Sequence, residues 1–264
     1  MAAAERRQRM ALLLAQSGYA GISDLARRLG VSGMTVRRDL DILVDEGLVE
    51  RAFGGAVLRP GGRSERFDTV EPGVDARLRL NADAKAEIGR AAASMISPGQ
   101  TIALDIGSTA LCLAHALKGM DVKIFTHSLR IATFLAGGRA RVYTVAGEVC
   151  GTEPSIIGAM ARRQIEAFRF DWFFIGASGL AEDGLHDYSL EDSEIKRALM
   201  ERARNCVALI DSSKFGRLSV TRVAPLSAID TVISERVPEG ELASRLEDAP
   251  VEVRIAESNI KRTA

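Results

Sequence analysis

The sequence is poor in cysteine, has no net charge and lacks a long apolar run. Its three cysteines, Cys112, Cys150 and Cys206, are scattered and odd in number, which argues against a secreted disulfide framework and against a cysteine-ligated metal site. The 35 Lys and Arg residues balance the 35 Asp and Glu residues, so any surface for nucleic acid has to be a local patch. We expect a protein of a reducing compartment, without metal or cofactor.

No stretch approaches the roughly 20 apolar residues that a membrane-spanning helix needs. Arg6, Arg7 and Arg9 precede an apolar run at 10–15, but this run is shorter than the apolar core of a signal peptide usually is, and Gln16 ends it. At 264 residues the chain suits one small and one medium domain. We therefore expect two domains in a soluble, cytoplasmic protein.

The first sixty residues predict three helices and a hairpin. Apolar residues recur at helical spacing from about 4 to 16. Ser23 is the expected N-cap of a short second helix, and Gly30 is placed to end it in the left-handed conformation. Ser32 is the expected N-cap of a third helix over about 33–46. Two helices joined by so short a turn are typical of a helix-turn-helix.

The third predicted helix has an apolar face and a cationic face. The apolar residues, expected in the core, are Val36, Leu40, Leu43 and Val44. The opposite side of the first turns carries Met34, Thr35, Arg37 and Arg38, with Ser32 before them. Arginine pairs with guanine through two hydrogen bonds, threonine contacts base edges, and a helix N-terminus attracts phosphate. We predict that these residues enter the major groove of DNA.

A small hairpin, or wing, is predicted to follow. Two short strands at 48–51 and 56–58 flank Gly54 and Gly55, and Arg51 is placed to reach a phosphate. The alternative is a structural three-helix bundle whose arginines form a solvated face. DNA binding is favoured because a capped short helix, a tight turn, an Arg-rich capped helix and a Gly-Gly hairpin occur in that order.

The larger part of the chain predicts an α/β domain. Residues 59–75 are polar and rich in Pro and Gly and are the expected linker between domains at 1–58 and 76–264. Short apolar runs then alternate with helices, as in a mostly parallel sheet covered on both faces. The predicted strands are 101–104, 122–125, 141–145, 172–175, 206–210 and 231–233, and the predicted helices are 84–95, 108–117, 128–135, 159–168 and 190–203.

Ligands of such sheets bind beyond the carboxyl ends of the strands. The residues there are small, hydroxylated or charged, and the candidate ligand contacts are Asp105, Gly107, Ser108, Thr109, His127, Gly147, Glu148, Gly176, Ser178, Lys196 and Lys214. The tripeptide 107–109 opens a helix directly after a strand, where backbone N–H groups and two hydroxyls can hold a phosphate. By itself it also fits a plain turn with an N-cap. Lys196 and Lys214 can supply positive charge.

Two carboxylates among these candidates suit the hydroxyls of a sugar. Asp105 and Glu148 can accept hydrogen bonds from them, although each fits a strand-end or capping role equally well. His127 is either a ligand contact or a satisfied surface histidine.

The chain resembles the DeoR family of bacterial sugar-metabolism regulators over nearly its whole length. In the small domain the resemblance is carried by VSGMTVRRDL at 31–40, GLVER at 47–51 and GGA at 54–56. In the large domain it is carried by LDIGST at 104–109, FDWFFIGASG at 170–179, EDSEIKRA at 191–198 and DSSKFG at 211–216. The variants at 105–109 and 176–179 look most similar to the glycerol-3-phosphate repressors within the family.

The resemblance implies a repressor of carbohydrate or polyol metabolism. Members of the family generally release or change DNA binding when a phosphorylated sugar intermediate occupies the large domain, which is similar in fold to ribose-5-phosphate isomerase. It implies Thr35, Arg37 and Arg38 as DNA contacts and a phosphorylated sugar or polyol, such as glycerol 3-phosphate, as effector. The sequence departs from the family at Phe53 in the wing, so no wing contact is implied there. It also departs at His127, Ala146 and 186–188, around the expected ligand, which leaves the exact effector open.

Two other classes of function compete with a regulator. A sugar-phosphate isomerase-like enzyme could use Asp105, Glu148, Asp211 and Lys214 as acid and base groups, and an architectural DNA binder would sense no metabolite. An enzyme would leave the winged domain without a function, and an architectural DNA binder would leave the polar strand-end loops unexplained. We expect that the protein is not an enzyme. Because such regulators read paired half-sites, we expect a homo-oligomer, at least a dimer.

Overall fold

The computed structural model describes residues 6, 7, 9, 10, 13, 14, 19–45, 49–52, 54–58, 66–68 and 73–256. The chain divides into two compact units between Glu65 and Arg66. Among the described residues, every helix is too short or too polar to cross a membrane.

The amino-terminal unit is a winged helix-turn-helix. Its elements are helical residues at 6–7, 9–10 and 13–14, strand β1 (Tyr19–Gly21), helices α1 (Ile22–Leu29) and α2 (Gly33–Asp45), and strands β2 (Val49–Ala52) and β3 (Gly55–Leu58). Strand β3 pairs antiparallel with both β1 and β2. The predicted second and third helices and the hairpin are confirmed. Strand β1 was not predicted, because three residues are too few to show an alternating pattern.

The core of this unit is formed by the residues expected there. Val36, Leu40 and Leu43 are buried, together with Met10 and Leu14. Gly30 takes the left-handed conformation at φ 65°, as predicted. Ser32 Oγ accepts a hydrogen bond from the Thr35 N–H at 3.2 Å and so caps α2 as predicted. The predicted residues 46–48 and Phe53 lie outside the described part of the chain.

The prediction that Ser23 caps α1 is wrong. The helix begins at Ile22, and Gly21 is its N-cap in an extended conformation. The reason is the pairing of the neighbouring strand: Gly21 belongs to β1, and the Ile22 N–H donates to Gly54 O at 2.9 Å. The hairpin thus fixes the start of α1 ahead of the serine.

The larger unit is an α/β fold with 14 strands among the described residues. In chain order its elements are β4 (Arg66–Asp68), α3 (Val74–Arg79), α4 (Ala82–Ala93), β5 (Thr101–Leu104), α5 (Ser108–Leu117), β6 (Lys123–Thr126), α6 (Leu129–Leu135), β7 (Arg141–Tyr143), β8 (Glu148–Cys150), β9 (Ser155–Ile157), α7 (Ala159–Ile165), β10 (Phe170–Gly176), β11 (Gly179–Ala181), β12 (Gly184–Asp187), α8 (Leu190–Arg202), β13 (Ala203–Leu209), β14 (Arg217–Ser219), β15 (Thr221–Ala224), β16 (Thr231–Ser234), α9 (Gly240–Asp248) and β17 (Glu252–Ile255).

A seven-stranded parallel sheet forms the centre of this unit. Its strand order is β17-β16-β13-β10-β5-β6-β7. Alternate residues of β5 enter two different apolar clusters, Ile102 and Leu104 on one side and Ala103 on the other. Both faces of the sheet are therefore covered, which is why its strands read as nearly continuous apolar runs. All six predicted strands and all five predicted helices are confirmed.

The order of strands reverses between β5 and β10. From β5 the chain proceeds outward through β6 to β7, and from β10 it proceeds outward in the opposite direction to β17. Helices that leave two such neighbouring strands diverge and open a crevice beyond their carboxyl ends, where ligands of open α/β sheets bind. The residues that follow β5 and β10 are therefore the first place to look for a site.

The division between the two units lies inside the predicted linker. Strand β4 pairs in parallel with β14, and α3 begins at Val74. The second half of the segment 59–75 thus belongs to the larger unit, although its polar, Pro- and Gly-containing composition resembles a linker. The predicted limit at residue 76 leaves β4 and the first residues of α3 out of that domain.

We predict that Gly55→Ala loosens the winged unit. A Cβ at Gly55 would lie 2.2 Å from Ala20 O, so β1 and β3 have to separate, at a cost of about 1–3 kcal/mol. Hydrogen–deuterium exchange of the full chain should show faster exchange in peptides covering 19–58 and unchanged exchange in the larger unit.

Gly33→Ala is the matched control, because a Cβ there meets Ile22 at an ordinary 3.5 Å. Equal exchange in the two variants would contradict the assigned strand contact.

Candidate functional site

The predicted DNA-contact residues lie on the open side of α2. Met34 is 75% exposed, and Ser32, Arg37 and Arg38 are exposed, whereas Thr35 is half-buried. The opposite side of the helix forms the core of the unit. The leading turns of α2 therefore present two guanidinium groups and a capped N-terminus to the surroundings, as a helix that enters a major groove requires.

Ion pairs hold α2 in place at Asp39 and at Asp41. Asp39 is buried, and its Oδ2 lies 2.6 Å from Arg6 Nε. Arg51 of β2 donates to Arg37 O at 2.9 Å and to Asp41 Oδ1 at 2.5 Å. The first pair ties α2 to the helical residues before β1, and the second ties it to the wing. No role was predicted for Asp39, and Arg51 was predicted to reach a phosphate; in the structure Arg51 also joins the wing to the helix.

A buried cluster of charged residues lies where β5 and β10 end. Asp105, directly after β5, accepts the Gly176 N–H at 2.9 Å through Oδ2, so this bond spans the point where strand order reverses. Lys196 of α8 lies 3.0 Å from the same oxygen, pairs with Asp187, and donates to Gly176 O at 2.9 Å. Ser178 Oγ donates to Asp187 Oδ1 at 3.4 Å. The structure thus brings together Asp105, Gly176, Ser178 and Lys196 from the predicted set.

Lys196 has a different immediate role from the expected one. An ammonium group has three hydrogen-bond donors, and three acceptors surround this one: Asp105, Asp187 and Gly176 O. To bind an anion, Lys196 would have to leave a carboxylate buried without its partner. It therefore holds the cluster together and is not a ready contact for phosphate.

The charges in the cluster follow from burial and from Lys196. Burial raises the pKa of Asp105 to about 7, although Lys196 acts in the other direction. Burial alone would also raise the pKa of Asp187, but the ion pair and hydrogen bonds outweigh it and the pKa is lowered. Desolvation opposes the charge of Lys196, yet Asp105 and Asp187 raise its pKa above the ordinary value. Near neutral pH the Lys196–Asp187 pair is charged, and Asp105 can hold or release a proton.

The His127 side chain faces this cluster, and its ring has no hydrogen-bond partner among the described residues. The residue follows β6 and is 2% exposed, so a surface histidine is excluded. Its Nε2 lies 3.6 Å from Asp105 Oδ1 and 3.7 Å from Asp192 Oδ1. Both ring nitrogens and both of these oxygens are buried and unpaired. Burial lowers the pKa of His127 to about 4, so the ring is neutral at pH 7.

These unpaired atoms can be satisfied by a hydroxyl-bearing ligand. A hydroxyl donates one hydrogen bond and accepts others, so it can donate to a carboxylate and still contact a neutral imidazole. An unpaired polar atom in the interior costs about 1–3 kcal/mol. The cluster is therefore chemically suited to bind a polyol or sugar.

The loop after β5 already holds a carboxylate. Gly107 has φ 110° and ψ 167°, which favours glycine, and α5 starts at the next residue without a side-chain cap. The Gly107 N–H instead donates to Glu153 Oε1 at 3.1 Å, and Glu153 Oε2 pairs with Arg77 Nη2. Ser108 and Thr109 are buried beside it. The predicted phosphate loop thus binds an anionic group in this structure.

The remaining predicted contacts are more scattered. Gly147 and Glu148 are exposed at the start of β8, which pairs with β9 and not with the central sheet. Lys214 lies on the short 3-10 turn after β13. In the divergent stretch at 186–188, Asp187 joins the cluster, whereas His186 Nε2 lies 2.7 Å from Asp183 Oδ1.

Three residues of the site were missed by sequence reasoning, Arg77, Glu153 and Asp192, whereas Asp187 was singled out only as part of the divergent stretch at 186–188. Arg77 and Glu153 are 76 residues apart, and no local pattern predicts their contact. Asp192 was visible only as part of the resemblance at 191–198.

Two family models match the chain. The DeoR-like helix-turn-helix domain matches residues 6–59, and the DeoR C terminal sensor domain matches residues 80–236. The glycerol-3-phosphate regulon repressor of Escherichia coli (strain K12) is 31% identical over 246 residues, covering 92% of this chain and 95% of that protein. The HTH-type transcriptional regulator GolR of Listeria innocua is 32% identical over 256 residues, covering 96% and 98%. Ribose 5-phosphate isomerase a from Methanocaldococcus jannaschii matches with a TM-score of 0.40 and 19% identity, covering 51% of this chain and 55% of that one.

We predict opposite pH responses for Asp105→Asn and His127→Asn. Asp105 has a raised pKa, so the folded protein binds more protons than the unfolded one between about pH 4 and 7, and this residue makes stability fall as pH rises. His127 has a lowered pKa, so between about pH 4 and 6.5 it makes stability rise with pH. In Asp105→Asn the free energy of unfolding should therefore change with pH by a more positive slope than in the unmutated protein, and in His127→Asn by a more negative slope. Each slope should differ by at most about 1.4 kcal/mol per pH unit.

Urea unfolding followed by fluorescence checks this, because the single tryptophan, Trp172, lies in β10 of the larger unit. Changes of the same sign in both variants would contradict the assignment.

Proposed function

The chain belongs to the DeoR family of transcription regulators, and on this basis we propose that it represses genes of sugar or polyol metabolism under the control of a phosphorylated effector such as glycerol 3-phosphate. Its relatives are named as regulators and repressors, so the chain is a DNA-binding regulator and not an isomerase-like enzyme. The observation that carries the proposal is the set of buried, unpaired polar atoms at the reversal point of the sheet.

The site offers one region for hydroxyls and one for an anion. Asp105 Oδ1 and His127 are the unpaired groups that suit hydroxyls. Two residues after Asp105, the Gly107 N–H and the start of α5 suit a phosphate, since the helix dipole and the N–H groups of a helix N-terminus favour negative charge. Ser108 and Thr109 add hydroxyl donors at the same turn. A small molecule with both functions, a phosphorylated sugar or polyol, matches this combination.

DNA binding is assigned to the exposed edge of α2. We infer contacts from Ser32, Met34, Thr35, Arg37 and Arg38, with Arg51 close to the phosphate backbone through its position beside Arg37. The effector would act by binding one arrangement of the protein more tightly than the DNA-competent one. A coupling of about 1–3 kcal/mol suffices for a useful switch. In this account the regulator works in the cytoplasm as a homo-oligomer that reads paired half-sites.

Arg38→Ala should weaken operator binding by about 1–3 kcal/mol if the guanidinium contacts a base. The operator is first selected from genomic fragments with the unmutated protein, and affinities are then measured by fluorescence anisotropy for the operator and for unrelated DNA of equal length. The loss should be larger on the operator. Arg245→Ala removes an exposed charge from α9 of the larger unit and should leave both affinities unchanged. Equal losses of Arg38→Ala on both DNAs would refute base recognition.

Ser108→Glu should abolish the response to the effector while DNA binding is retained, because it places a negative charge in the proposed phosphate loop. The effector is first identified by a thermal-shift screen of phosphorylated sugars and polyols, since a ligand of the folded state raises its stability. The best compound is then titrated into the operator complex.

Ser97→Glu is the control, since Ser97 is exposed before β5, at the other end of that strand from Asp105. Ser108→Ala tests the loop without adding a charge and should weaken the response. An unchanged response in both Ser108 variants rules the loop out, and a screen without any binding compound rules out the proposed effector class.

A further inference from the structure

Glu153 occupies the loop where the effector's phosphate is expected. The residue lies between β8 and β9 and is 7% exposed. One of its carboxylate oxygens accepts the Gly107 N–H at 3.1 Å, and the other pairs with Arg77. Two donors from different parts of the fold thus hold the two oxygens of one carboxylate. This is the geometry in which proteins bind a free carboxylate or phosphate.

The surroundings of this contact point to a ligand independently of the helix N-terminus. Asp105, two residues before Gly107, has a buried and unpaired Oδ1, and the buried, unpaired His127 ring lies 3.6 Å from that oxygen. The turn that carries Glu153 is bonded to the segment of His127, because Ile156 N donates to His127 O at 2.8 Å and Leu129 N donates to Pro154 O at 3.0 Å. One segment therefore borders both the hydroxyl region and the anion region.

We infer that Glu153 is an internal stand-in for the effector's phosphate, and that the effector binds by displacing its carboxylate from Arg77 and the Gly107 N–H. This inference rests on the proposed function. A phosphate monoester carries more negative charge than a carboxylate and has three terminal oxygens. It can therefore take over both donors and still contact the hydroxyls of Ser108 and Thr109. Arg77, which sequence reasoning missed, becomes a residue that contacts the effector.

The exchange would act on the part of the larger unit that is nearest in sequence to the winged unit. Arg77 belongs to α3, the first helix after β4. The end of α3 is held by Lys85 of α4, whose Nζ donates to Arg77 O at 2.5 Å and to Leu80 O at 2.7 Å. When Arg77 changes partner, the turn at 151–154 loses its anchor on α3. The effector thus changes which segments α3 is bound to.

The competition has a measurable consequence for affinity. If the Glu153 carboxylate occupies the site in about nine of ten molecules, only about one in ten is open to ligand. The ligand then binds about tenfold more weakly than it would to an open site. Removing the carboxylate should therefore strengthen phosphate binding, whereas removing the guanidinium should weaken it. A purely structural ion pair predicts no gain from either change.

The test is isothermal titration calorimetry of the full chain with inorganic phosphate and with sn-glycerol 3-phosphate, and with glycerol as the uncharged probe. Glu153→Gln should lower the Kd of both phosphates by about tenfold, and Arg77→Met should raise it by a similar factor or more. Glu166→Gln removes a charge from an exposed position at the end of α7 and should leave both Kd values unchanged. Glu153→Asp shortens the side chain but keeps its charge, so it should lower both Kd values by less than Glu153→Gln does. This variant replaces Glu153→Gln in the test if the Gln variant does not fold.

The inference is overturned if the folded Glu153 variants bind phosphate as the unmutated protein does, or more weakly. If sn-glycerol 3-phosphate or another phosphorylated compound still dissociates the operator complex in that case, the proposed function stands and the displacement alone is wrong. If no phosphorylated compound binds the unmutated protein or the Glu153 variants, both fail.

Discussion

The ion pairs of Lys196 with Asp105 and Asp187 are the constraint on which the larger unit's site depends. They join α8, the end of β5 and the end of β12 at the point where strand order reverses, in a place that is closed to water. A buried charge without a partner would be costly, so the three side chains fix one another's positions. Burial of the same region sets the charges around these pairs: it keeps His127 neutral at pH 7 and raises the pKa of Asp105 to about 7, against the opposite effect of Lys196.

The two units differ in where they place their charged groups: the winged unit exposes a cationic helix edge, and the larger unit buries a charged cluster. In the winged unit, buried Asp39 and Arg51 of the wing hold α2 so that its cationic edge stays exposed. In the larger unit, the charged groups of the proposed effector site are buried, a position suited to a small polar ligand. The balanced composition of the chain is consistent with this arrangement, since only one face of one small unit has to attract DNA.

The sequence predicted the architecture well where burial leaves a continuous pattern. The inner strands of the central sheet are mostly apolar and were found, whereas its edge strand β17 alternates Glu252 and Arg254 with apolar residues and was missed. Asp105, His127 and Gly176 were predicted because they follow strands. The pairing of Arg77 with Glu153 and the entry of Asp187 into the cluster depend on contacts between distant segments, which no local spacing encodes.

Binding of the effector and of DNA must affect each other equally if one switch connects them. The most direct measurement is therefore the Kd of the phosphorylated effector for the free protein and for the protein saturated with operator DNA. The account predicts weaker binding to the DNA complex, by about 5- to 150-fold, and by the same factor as the effector weakens operator binding. Equal affinity for the free and the DNA-bound protein would contradict it.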